Sequence, residues 1–460
     1  MIDIKLYFAI LLGKIISYTI KIFRGGATSA PGLYALKIDP LLIKKLSKQF
    51  KYGSILISGT NGKTTTSRIT ADILSSKYKI IHNRQGSNLI RGIASTLIQQ
   101  SSFWGKINSN LGLWEIDEAV LPEAVYNLRP KFIALMNLFR DQLDRYGEID
   151  HIREKWIKTI KSLKEDTQLV LNVDDPGISI LAQYHKGKNI YFGINSKKIN
   201  LPKILQVVDV KHCLMCGSSL IYSTFLSAHM GHYKCSKCNF KRKNPDFFAE
   251  NPVFKTDFST SFDLCNQSDH FQLNYSLPGL YNIYNVLGSI AIANILKINS
   301  QTIITKINNF TAAFGRFQKV RIKDKKIIIF LIKNPAGANE VIRTISIKKT
   351  INLLIILNDK IADGKDISWI WDTNWEMLST KIKNIYLGGT RALDLAVRLK
   401  YSNINLSNKD IYKDINYSIN NLISSLNNKD TLLILPTYTA MLEVQKALFN
   451  VDTKAKWHNQ

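Results

Sequence analysis

Residues 54–66 read Ser-Ile-Leu-Ile-Ser-Gly-Thr-Asn-Gly-Lys-Thr-Thr-Thr, and this stretch decides the fold class of the 460-residue chain. An apolar run at 54–58 is followed by a polar, glycine-containing loop, and apolar residues then recur at helical spacing through Ile69 and Ile73. A strand that leads through such a loop into a helix presents backbone N–H groups and a helix N-terminus to phosphate oxygens. The stretch therefore predicts a phosphate-binding loop at the end of a strand.

The polar residues of this loop carry the predicted nucleotide contacts. Lys63 is expected to reach the β- and γ-phosphates, and the Thr64 hydroxyl is expected to bind Mg²⁺. Ile57 stands where the general pattern has its first glycine, so the loop is a variant. Glu115 and Asp117 end a later apolar run, at the sheet edge where α/β folds bind ligands, and one of them is expected to complete the Mg²⁺ site. The predicted nucleotide ligands of the loop are Gly59, Thr60, Asn61, Gly62, Lys63, Thr64 and Thr65.

Short apolar runs alternate with helical patterns along most of the chain. They lie at 79–82, 111–116, 132–137, 169–173, 189–192, 327–332, 353–357, 384–387 and 432–435. Strands that alternate with helices predict a mostly parallel sheet covered on both faces. We therefore predict an α/β protein with a P-loop ATPase domain at residues 51–313, a second α/β domain at 314–460 and an amphipathic linking segment at 1–50.

Four of the five cysteines form two CxxC pairs, Cys213 with Cys216 and Cys235 with Cys238, with 18 residues between the pairs. This is the spacing of a zinc ribbon, in which four thiolates close a tetrahedral site and the metal is structural. We place this module in an insert at residues 205–246 of the first domain. Such pairing without a recognisable secretion signal also favours a cytoplasmic location. The nearby histidines are expected to have surface or hairpin roles: His212, His229 and His232.

Basic residues outnumber acidic ones by 62 to 35, so the formal net charge is +27. The excess suits a nucleic acid, a membrane surface or a polyphosphate as partner, although a chain this rich in Ile, Lys and Asn also acquires it from coding bias. The apolar run at 6–16 is interrupted by Gly13 and Lys14 and is shorter than the ~18 residues that span a bilayer. It is expected to form an amphipathic helix that packs on the protein, with contact to a membrane as the alternative.

Several motifs, taken together, resemble the Mur ligase superfamily of ATP-dependent peptidoglycan enzymes. They are residues 59–65, 137–147 (Asn-Leu-Phe-Arg-Asp-Gln-Leu-Asp-Arg-Tyr-Gly), 172–176 (Asn-Val-Asp-Asp-Pro), 279–285 (Gly-Leu-Tyr-Asn-Ile-Tyr-Asn) and 314–317 (Phe-Gly-Arg-Phe). Three further features narrow the resemblance to MurT-type subunits of lipid II isoglutaminyl synthase. They are the cysteine module, residues 333–339 (Lys-Asn-Pro-Ala-Gly-Ala-Asn) and residues 358–372 (Asn-Asp-Lys-Ile-Ala-Asp-Gly-Lys-Asp-Ile-Ser-Trp-Ile-Trp-Asp).

The resemblance implies an activity and a partner. Members of this branch use ATP to amidate the α-carboxyl of D-isoglutamate in the lipid II stem peptide, with ammonia from a separate GatD-type glutaminase subunit. In the family, an aspartate of the Asp-Gly-x-Asp segment completes the Cys-His dyad of the partner, and here that aspartate is Asp366. The implied protein is a heterodimer subunit that meets lipid II at the inner face of the membrane and needs no nucleic acid.

The resemblance also implies roles within the nucleotide site. Lys63 would bind phosphate, Thr64 and Glu115 would bind Mg²⁺, Asn282 would contact adenine, and Arg316 would reach the γ-phosphate region. The implied catalytic residues are Asp366, Lys63, Glu115 and Arg316, and the implied cofactors are ATP, Mg²⁺ and a structural Zn²⁺. Many relatives hold a second Mg²⁺ with a carbamylated lysine, for which Lys155 and Lys158 are candidates by proximity to the 137–147 motif.

Two other functions are alternatives. The first is a ligase of the Mur or folylpolyglutamate-synthase kind that joins a whole amino acid to a carboxylate, and the Asp363-Gly-Lys-Asp366 segment argues against it. The second is a basic zinc-ribbon ATPase whose turnover depends on DNA or RNA. This second alternative is disfavoured because basic and aromatic residues, which nucleic-acid-binding surfaces combine, do not alternate in the sequence beyond the cysteine module.

Overall fold

The phosphate-binding loop follows the strand Ser54–Ser58, which lies in the interior of a large sheet. The computed structural model describes residues 3–22, 29–84, 87–140, 149–196, 198–201, 209–266, 269–311, 317–322, 325–412, 414–427 and 430–451. Among these residues, nine of the first eleven strands form one sheet in the order β11-β10-β9-β6-β5-β4-β1-β3-β2, and β7 and β8 form a separate hairpin. The eleven strands are Ser54–Ser58 (β1), Ile80–His82 (β2), Leu111–Glu115 (β3), Phe132–Leu135 (β4), Gln168–Asn172 (β5), Asn189–Ile194 (β6), Leu220–Ser227 (β7), Met230–Cys235 (β8), Phe247–Phe254 (β9), Thr260–Cys265 (β10) and His270–Tyr275 (β11).

The strands from β2 to β9 in this order pair in parallel, and β9, β10 and β11 pair antiparallel at one edge. Alternate residues of β1 are buried in two different apolar cores, Ile55 and Ile57 in one and Leu56 in the other. Both faces of the sheet are therefore covered by helices. The helices of this part are Ile4–Ile22 (α1), Ala30–Ile38 (α2), Leu42–Ser47 (α3), Lys63–Leu74 (α4), Ile90–Gln100 (α5), Leu121–Leu128 (α6), Ile149–Lys161 (α7), Pro176–Ser179 (α8), Leu280–Ile295 (α9) and Ser300–Asn308 (α10).

A second sheet follows in the chain and has its own two apolar cores. Its order is β12-β13-β17-β14-β15-β16, in which β12 pairs antiparallel and the other strands pair in parallel. The strands are Phe317–Ile322 (β12), Lys325–Phe330 (β13), Ile351–Ile356 (β14), Ile382–Gly388 (β15), Ile411–Tyr412 (β16) and Thr431–Pro436 (β17). The helices are Pro335–Ile345 (α11), Ala392–Lys400 (α12), Ile415–Ser425 (α13) and Tyr438–Val451 (α14).

The predicted fold class is confirmed: a mostly parallel α/β sheet carries the loop, a cysteine-bearing hairpin is inserted in it, and a second α/β domain follows. Within the ranges given above, no helix has both the length and the apolar character needed to cross a bilayer.

Candidate functional site

The loop between β1 and α4 has a backbone shape that requires its two glycines. Gly59 has φ of 140° and Gly62 has φ of 88°, both in the region that side chains disfavour. A Cβ on Gly62 would lie 2.1 Å from Oδ1 of Asn285, and a Cβ on Gly59 would lie 2.8 Å from the carbonyl oxygen of Asn137. Asn137 also accepts a hydrogen bond from the Asn61 N–H at 2.8 Å. The loop is therefore held closely by two other segments of the chain.

Lys63 begins α4 and is buried inside this loop. Its Nζ donates to the carbonyl oxygens of Gly59 and Thr60 and forms a 2.8 Å ion pair with Oε2 of Glu118. Burial alone lowers the pKa of a lysine, but the charges of Glu118, Asp117 and Glu115 outweigh it, so the pKa of Lys63 is raised. The ammonium group thus stays charged beside the loop, where a phosphate can compete with Glu118 for it.

Thr64 and Glu115 bring two hard oxygen donors together. Thr64 Oγ1 donates to Oε1 of Glu115 across 2.8 Å. Ligands at adjacent corners of an octahedral Mg²⁺ site lie about 2.9 Å apart, because each is about 2.1 Å from the metal. Asn83 fixes the Glu115 backbone by accepting from its N–H and donating to its carbonyl, each at 2.9 Å. Asp117 instead caps the short 3₁₀ turn 118–120 by accepting from the Ala119 N–H.

Beside the loop, an open cleft separates α9 from β12 and α11 of the second domain. Asn282 of α9 lines it, with its amide bonded to the carbonyl of Pro278 and to Nδ2 of Asn285. The apolar side chains in the lining suit a flat heterocycle: Leu277, Leu280, Phe317, Leu331 and Val341. The polar loop residues Asn61, Gly62 and Thr65 lie on the same lining, so the cleft can hold a base and a phosphate chain together.

Helix α11 joins the second domain to this loop. Asn334, its N-cap residue, donates from Nδ2 to Oδ1 of Asn61 at 3.2 Å. Six residues later Glu340 accepts a 2.7 Å hydrogen bond from Ser227 of β7, and its other carboxylate oxygen is buried without a hydrogen-bond partner. Glu340 is one of the residues that line the cleft, so α11 contributes an acidic side chain as well as its helix dipole to the wall.

The 358–372 segment separates the two aspartates of the Asp-Gly-x-Asp sequence. Asp363 is buried and accepts from both the N–H and the hydroxyl of Thr439 at the start of α14. Asp366 is partly exposed, and Oδ1 accepts from the Ser368 N–H at 2.8 Å. Asp366 does not line the cleft. Its charge, together with burial and Asp209, helps to raise the pKa of Asp372 at the end of the same segment.

The four predicted cysteine ligands meet at one point. Cys213 Sγ lies 3.5 Å from Cys238 Sγ, Cys216 Sγ lies 3.4 Å from Cys235 Sγ, and all four sulfurs lie within 4.8 Å of one another. Tetrahedral zinc with bonds of about 2.3 Å needs sulfurs about 3.8 Å apart, so the cluster fits such an ion.

His229, at the tip of the β7-β8 hairpin, is fully buried rather than at the surface. Its Nε2 lies 3.3 Å from Asp175 Oδ1, and its Nδ1 lies 3.9 Å from Asp209 Oδ2. Burial disfavours the imidazolium, but the two carboxylates outweigh it and raise the pKa of His229. A small hollow lies beside this cluster and is lined by Arg140, Asp209, Asn339 and Asp372 among others.

The structure brings most of the predicted site residues together. Asn61, Gly62, Thr65 and Asn282 line one cleft, and Glu115 is linked to the same loop by its hydrogen bond with Thr64. Asp366 lies on a separate segment. Arg316 lies outside the described residues. Lys155 and Lys158 are exposed on α7. Sequence reasoning assigned no role to Glu118, Asn83 or Glu340; for Glu118 the acidic run that begins at Glu115 was the available signal.

Comparisons with known proteins identify the family. Residues 57–216 match the model of the Mur ligase middle domain, and residues 331–441 match that of the MurT ligase C-terminal domain. The chain is 32% identical over 430 residues to the lipid II isoglutaminyl synthase (glutamine-hydrolyzing) subunit MurT of Staphylococcus aureus, covering 92% of each chain. It is 32% identical over 455 residues to the subunit of the same name from Streptococcus pneumoniae, covering 97% of each.

A solved structure supports the same fold. MurF of Acinetobacter baumannii superimposes with a TM-score of 0.67 at 15% identity, covering 92% of this chain and 81% of that one. The predicted family is therefore confirmed by sequence and by fold. The chain belongs to the MurT family of Mur ligases.

Proposed function

We propose that this chain is the ATP-dependent ligase subunit that amidates the α-carboxyl of D-isoglutamate in the lipid II stem peptide. The supporting observation is that one helix, α11, contacts both the phosphate-binding loop and the segment that carries Asp366. Its N-cap Asn334 bonds to Asn61 of the loop, and Asn339 bonds to the carbonyl of Asp372. The names of both MurT relatives describe a glutamine-hydrolysing lipid II isoglutaminyl synthase. We further propose that the functional units are residues 1–50, 51–313 with an insert at 205–246, and 314–460.

The nucleotide is proposed to lie in the cleft beside the loop, with its base beside Asn282 and its phosphates on the loop. Lys63 would exchange Glu118 for a phosphate oxygen, and Thr64 and Glu115 would hold Mg²⁺. This metal supplies charge neutralisation on the transferring phosphoryl group. Arg316 is proposed to act on the γ-phosphate, as in the family resemblance.

Two steps complete the proposed reaction. A carboxylate oxygen of the acceptor attacks the γ-phosphorus and ADP leaves, which gives an acyl phosphate. Ammonia then attacks the acyl carbon, phosphate leaves, and a proton is lost from nitrogen. The hollow lined by Arg140, Asn339 and Asp372 adjoins the cleft at Phe139 and Ala336, which supports entry of ammonia from the side of Asp366.

Ammonia is proposed to come from a GatD-type glutaminase that docks beside Asp366. An apolar face of the second domain supports this position: Leu393, Val397 and Tyr401 project from one side of α12 and are 52–71% exposed. Trp371, 52% exposed, lies beside Tyr401 with ring centroids 5.6 Å apart and the rings tilted by 59°, and it belongs to the segment that carries Asp366. Exposed apolar faces of this kind mark protein contacts.

The cysteine cluster is proposed to hold a structural Zn²⁺ that orients the β7-β8 hairpin. The hairpin contacts both domains. The Gly231 N–H donates to the Asp174 carbonyl of the first domain, while Ser227 donates to Glu340 and the Leu226 carbonyl accepts from Arg343 in the second. Zinc would thereby stabilise one wall of the cleft without taking part in the reaction.

The Mg²⁺ site is tested by Glu115→Gln, which preserves shape and removes the charge. We expect phosphoryl transfer to fall roughly 100-fold, with partial rescue at high Mg²⁺, because the metal loses an anionic ligand. ADP release measured against Mg²⁺ concentration checks this. Glu123→Gln, on the exposed face of α6, serves as the control. An unchanged Mg²⁺ dependence in the Glu115 variant would contradict the assignment.

The zinc proposal is tested by metal analysis of the purified chain. We expect about one zinc per chain, and Cys216→Ser should lose most of it and melt several degrees lower, because metal binding is coupled to folding of the module. Cys265→Ser, outside the cluster, should keep both the metal and the melting temperature. Equal metal content in the two variants would rule out the four-thiolate site.

The reaction and the role of Asp366 are tested by reconstitution with the glutaminase, lipid II and MgATP. With glutamine, we expect a product lighter by about one mass unit only when both proteins are present, since NH₂ replaces OH. Asp366→Asn should abolish this reaction yet retain most of the ammonium-dependent one. Asp359→Asn, on the same segment, is the matched control.

Three outcomes of the reconstitution are informative against these proposals. Normal glutamine use by the Asp366 variant would contradict the proposal that Asp366 completes the partner's triad, but the proposed amidation would be retained. No product with either nitrogen source would overturn amidation itself. A product heavier by a whole amino acid would establish the other kind of ligase.

The docking face is tested by Leu393→Glu. A charge in the centre of a desolvated apolar contact should weaken binding of the glutaminase roughly tenfold or more. Titration calorimetry with the two purified subunits measures this affinity. Val253→Glu places the same charge on an exposed position of β9 and should have no effect. Equal affinities for the two variants would place the partner elsewhere.

A further inference from the structure

Helix α1 is attached to the protein by one face only. Ala9, Ile10 and Gly13 are buried against α2 and α5. A Cβ on Gly13 would lie 2.8 Å from Cδ1 of Ile98, so the two helices approach closely there. The orientation of α1 about its own axis is therefore fixed by packing.

The opposite face of α1 is a continuous apolar stripe. Its members recur at alternating intervals of four and three residues: Ile4, Phe8, Leu11, Ile15, Tyr18 and Ile22. At about 100° per residue they fall within about 80° of arc. All of them except Leu11 are 53–69% exposed. Burying such a stripe is what an amphipathic helix ordinarily does, so its exposure calls for a partner.

A neighbouring loop extends the stripe with two more exposed aromatic rings. Trp104, 69% exposed, stacks on Tyr7 of α1 with ring centroids 5.2 Å apart. Phe103, 54% exposed, lies 5.3 Å from Nζ of Lys14, which also donates to the carbonyl of Ser101. We call Ile4, Phe8, Leu11, Ile15, Tyr18, Ile22, Phe103 and Trp104 the N-terminal apolar face.

Positive charge surrounds this face. Residues 1–50 contain eight basic and two acidic side chains. Both acidic residues, Asp3 and Asp39, pair with Lys45, at 2.6 and 2.8 Å. Lys5 and Lys21 are exposed and project from α1 on either side of the stripe. An apolar stripe with aromatic rings and flanking lysines has the chemistry of a helix that lies in a lipid interface.

We propose that the N-terminal apolar face binds the surface of an anionic phospholipid bilayer, with α1 lying in the plane of the membrane. A second copy is a poorer occupant, because its own lysines would meet these lysines. The glutaminase is a poorer one because its proposed face is on α12. The proposal concerns how the chain reaches a membrane-borne acceptor and does not depend on which reaction follows.

The test uses the full chain, without nucleotide, acceptor or partner, and two kinds of vesicle. One kind is phosphatidylcholine alone, and the other contains equal parts of phosphatidylcholine and phosphatidylglycerol. Co-sedimentation should show binding at least roughly tenfold stronger to the anionic vesicles, weakening as salt is raised. Phe8→Glu with Tyr18→Glu should lower that binding by roughly tenfold or more, since charges replace the inserted rings.

A matched control separates the apolar face from net charge. Leu393→Glu with Tyr401→Glu adds the same two charges at exposed positions of the second domain and should bind vesicles as the unaltered chain does. Phe8→Ser with Tyr18→Ser tests the face without adding charge, and thermal melting verifies that each variant is folded. When the acceptor is dissolved in detergent and no membrane is needed, the α1 variants should retain amidating activity. Loss of vesicle binding can therefore be distinguished from failure of the reaction.

Several results would overturn the proposal. Equal binding to both vesicle types would remove the preference for anionic lipid. Equal losses in the two glutamate pairs would leave only a general effect of net charge. A dimer that the α1 variants convert to a monomer, with no vesicle binding, would assign the face to a second copy. Loss of glutaminase affinity in the α1 variants without vesicle binding would assign it to the partner.

Discussion

The structure depends on the contacts that helix α11 makes with three parts of the chain at once. Its N-cap, Asn334, bonds to Asn61 of the phosphate-binding loop. Its middle, Glu340, accepts from Ser227 of the cysteine-bearing hairpin, and Asn339 bonds to the backbone at Asp372 and Asn374. A ligand in the cleft would therefore contact α11, which is itself bonded to the hairpin and to the 358–372 segment. Movement of the hairpin or of that segment is coupled through α11 to the cleft.

Local chemistry explains why much of the site could be predicted from the sequence. The loop needs glycine where φ is positive, and the lysine and the hydroxyl proposed to bind phosphate and Mg²⁺ lie within a few positions of these glycines. The four cysteines could be predicted as a cluster for the same reason, because each CxxC pair lies within four consecutive residues. Glu118, Asn83 and Glu340 act across long separations in the chain, and a polar residue at a distance carries no sign of which group it will meet. Strands β9, β10 and β11 were not predicted, because they follow the insert without intervening helices.

His229 illustrates the same limit. A histidine near cysteines and at a hairpin tip suggests a surface position, yet packing buries it between Asp175 and Asp209. The cost of burying these groups is offset by their proximity and by the backbone N–H groups of Leu138, Gly177 and Ile178, which donate to Asp175. The arrangement depends on packing of the hairpin on the first domain, which the spacing of residues in the sequence does not reveal.

The N-terminal helix shows where a sequence pattern is ambiguous even when the element is predicted correctly. Residues 4–22 are apolar on nearly every side, so periodicity alone cannot distinguish the face that packs from the face that does not. Small residues decide it: Ala9 and Gly13 allow α1 to approach α5, which turns the larger side chains Phe8, Ile15 and Tyr18 outward. The expectation that the helix packs on the protein is confirmed for one face, and membrane contact by the other face is a proposal. The two possibilities are compatible, because a helix with two apolar faces can pack on the protein with one face and on a membrane with the other.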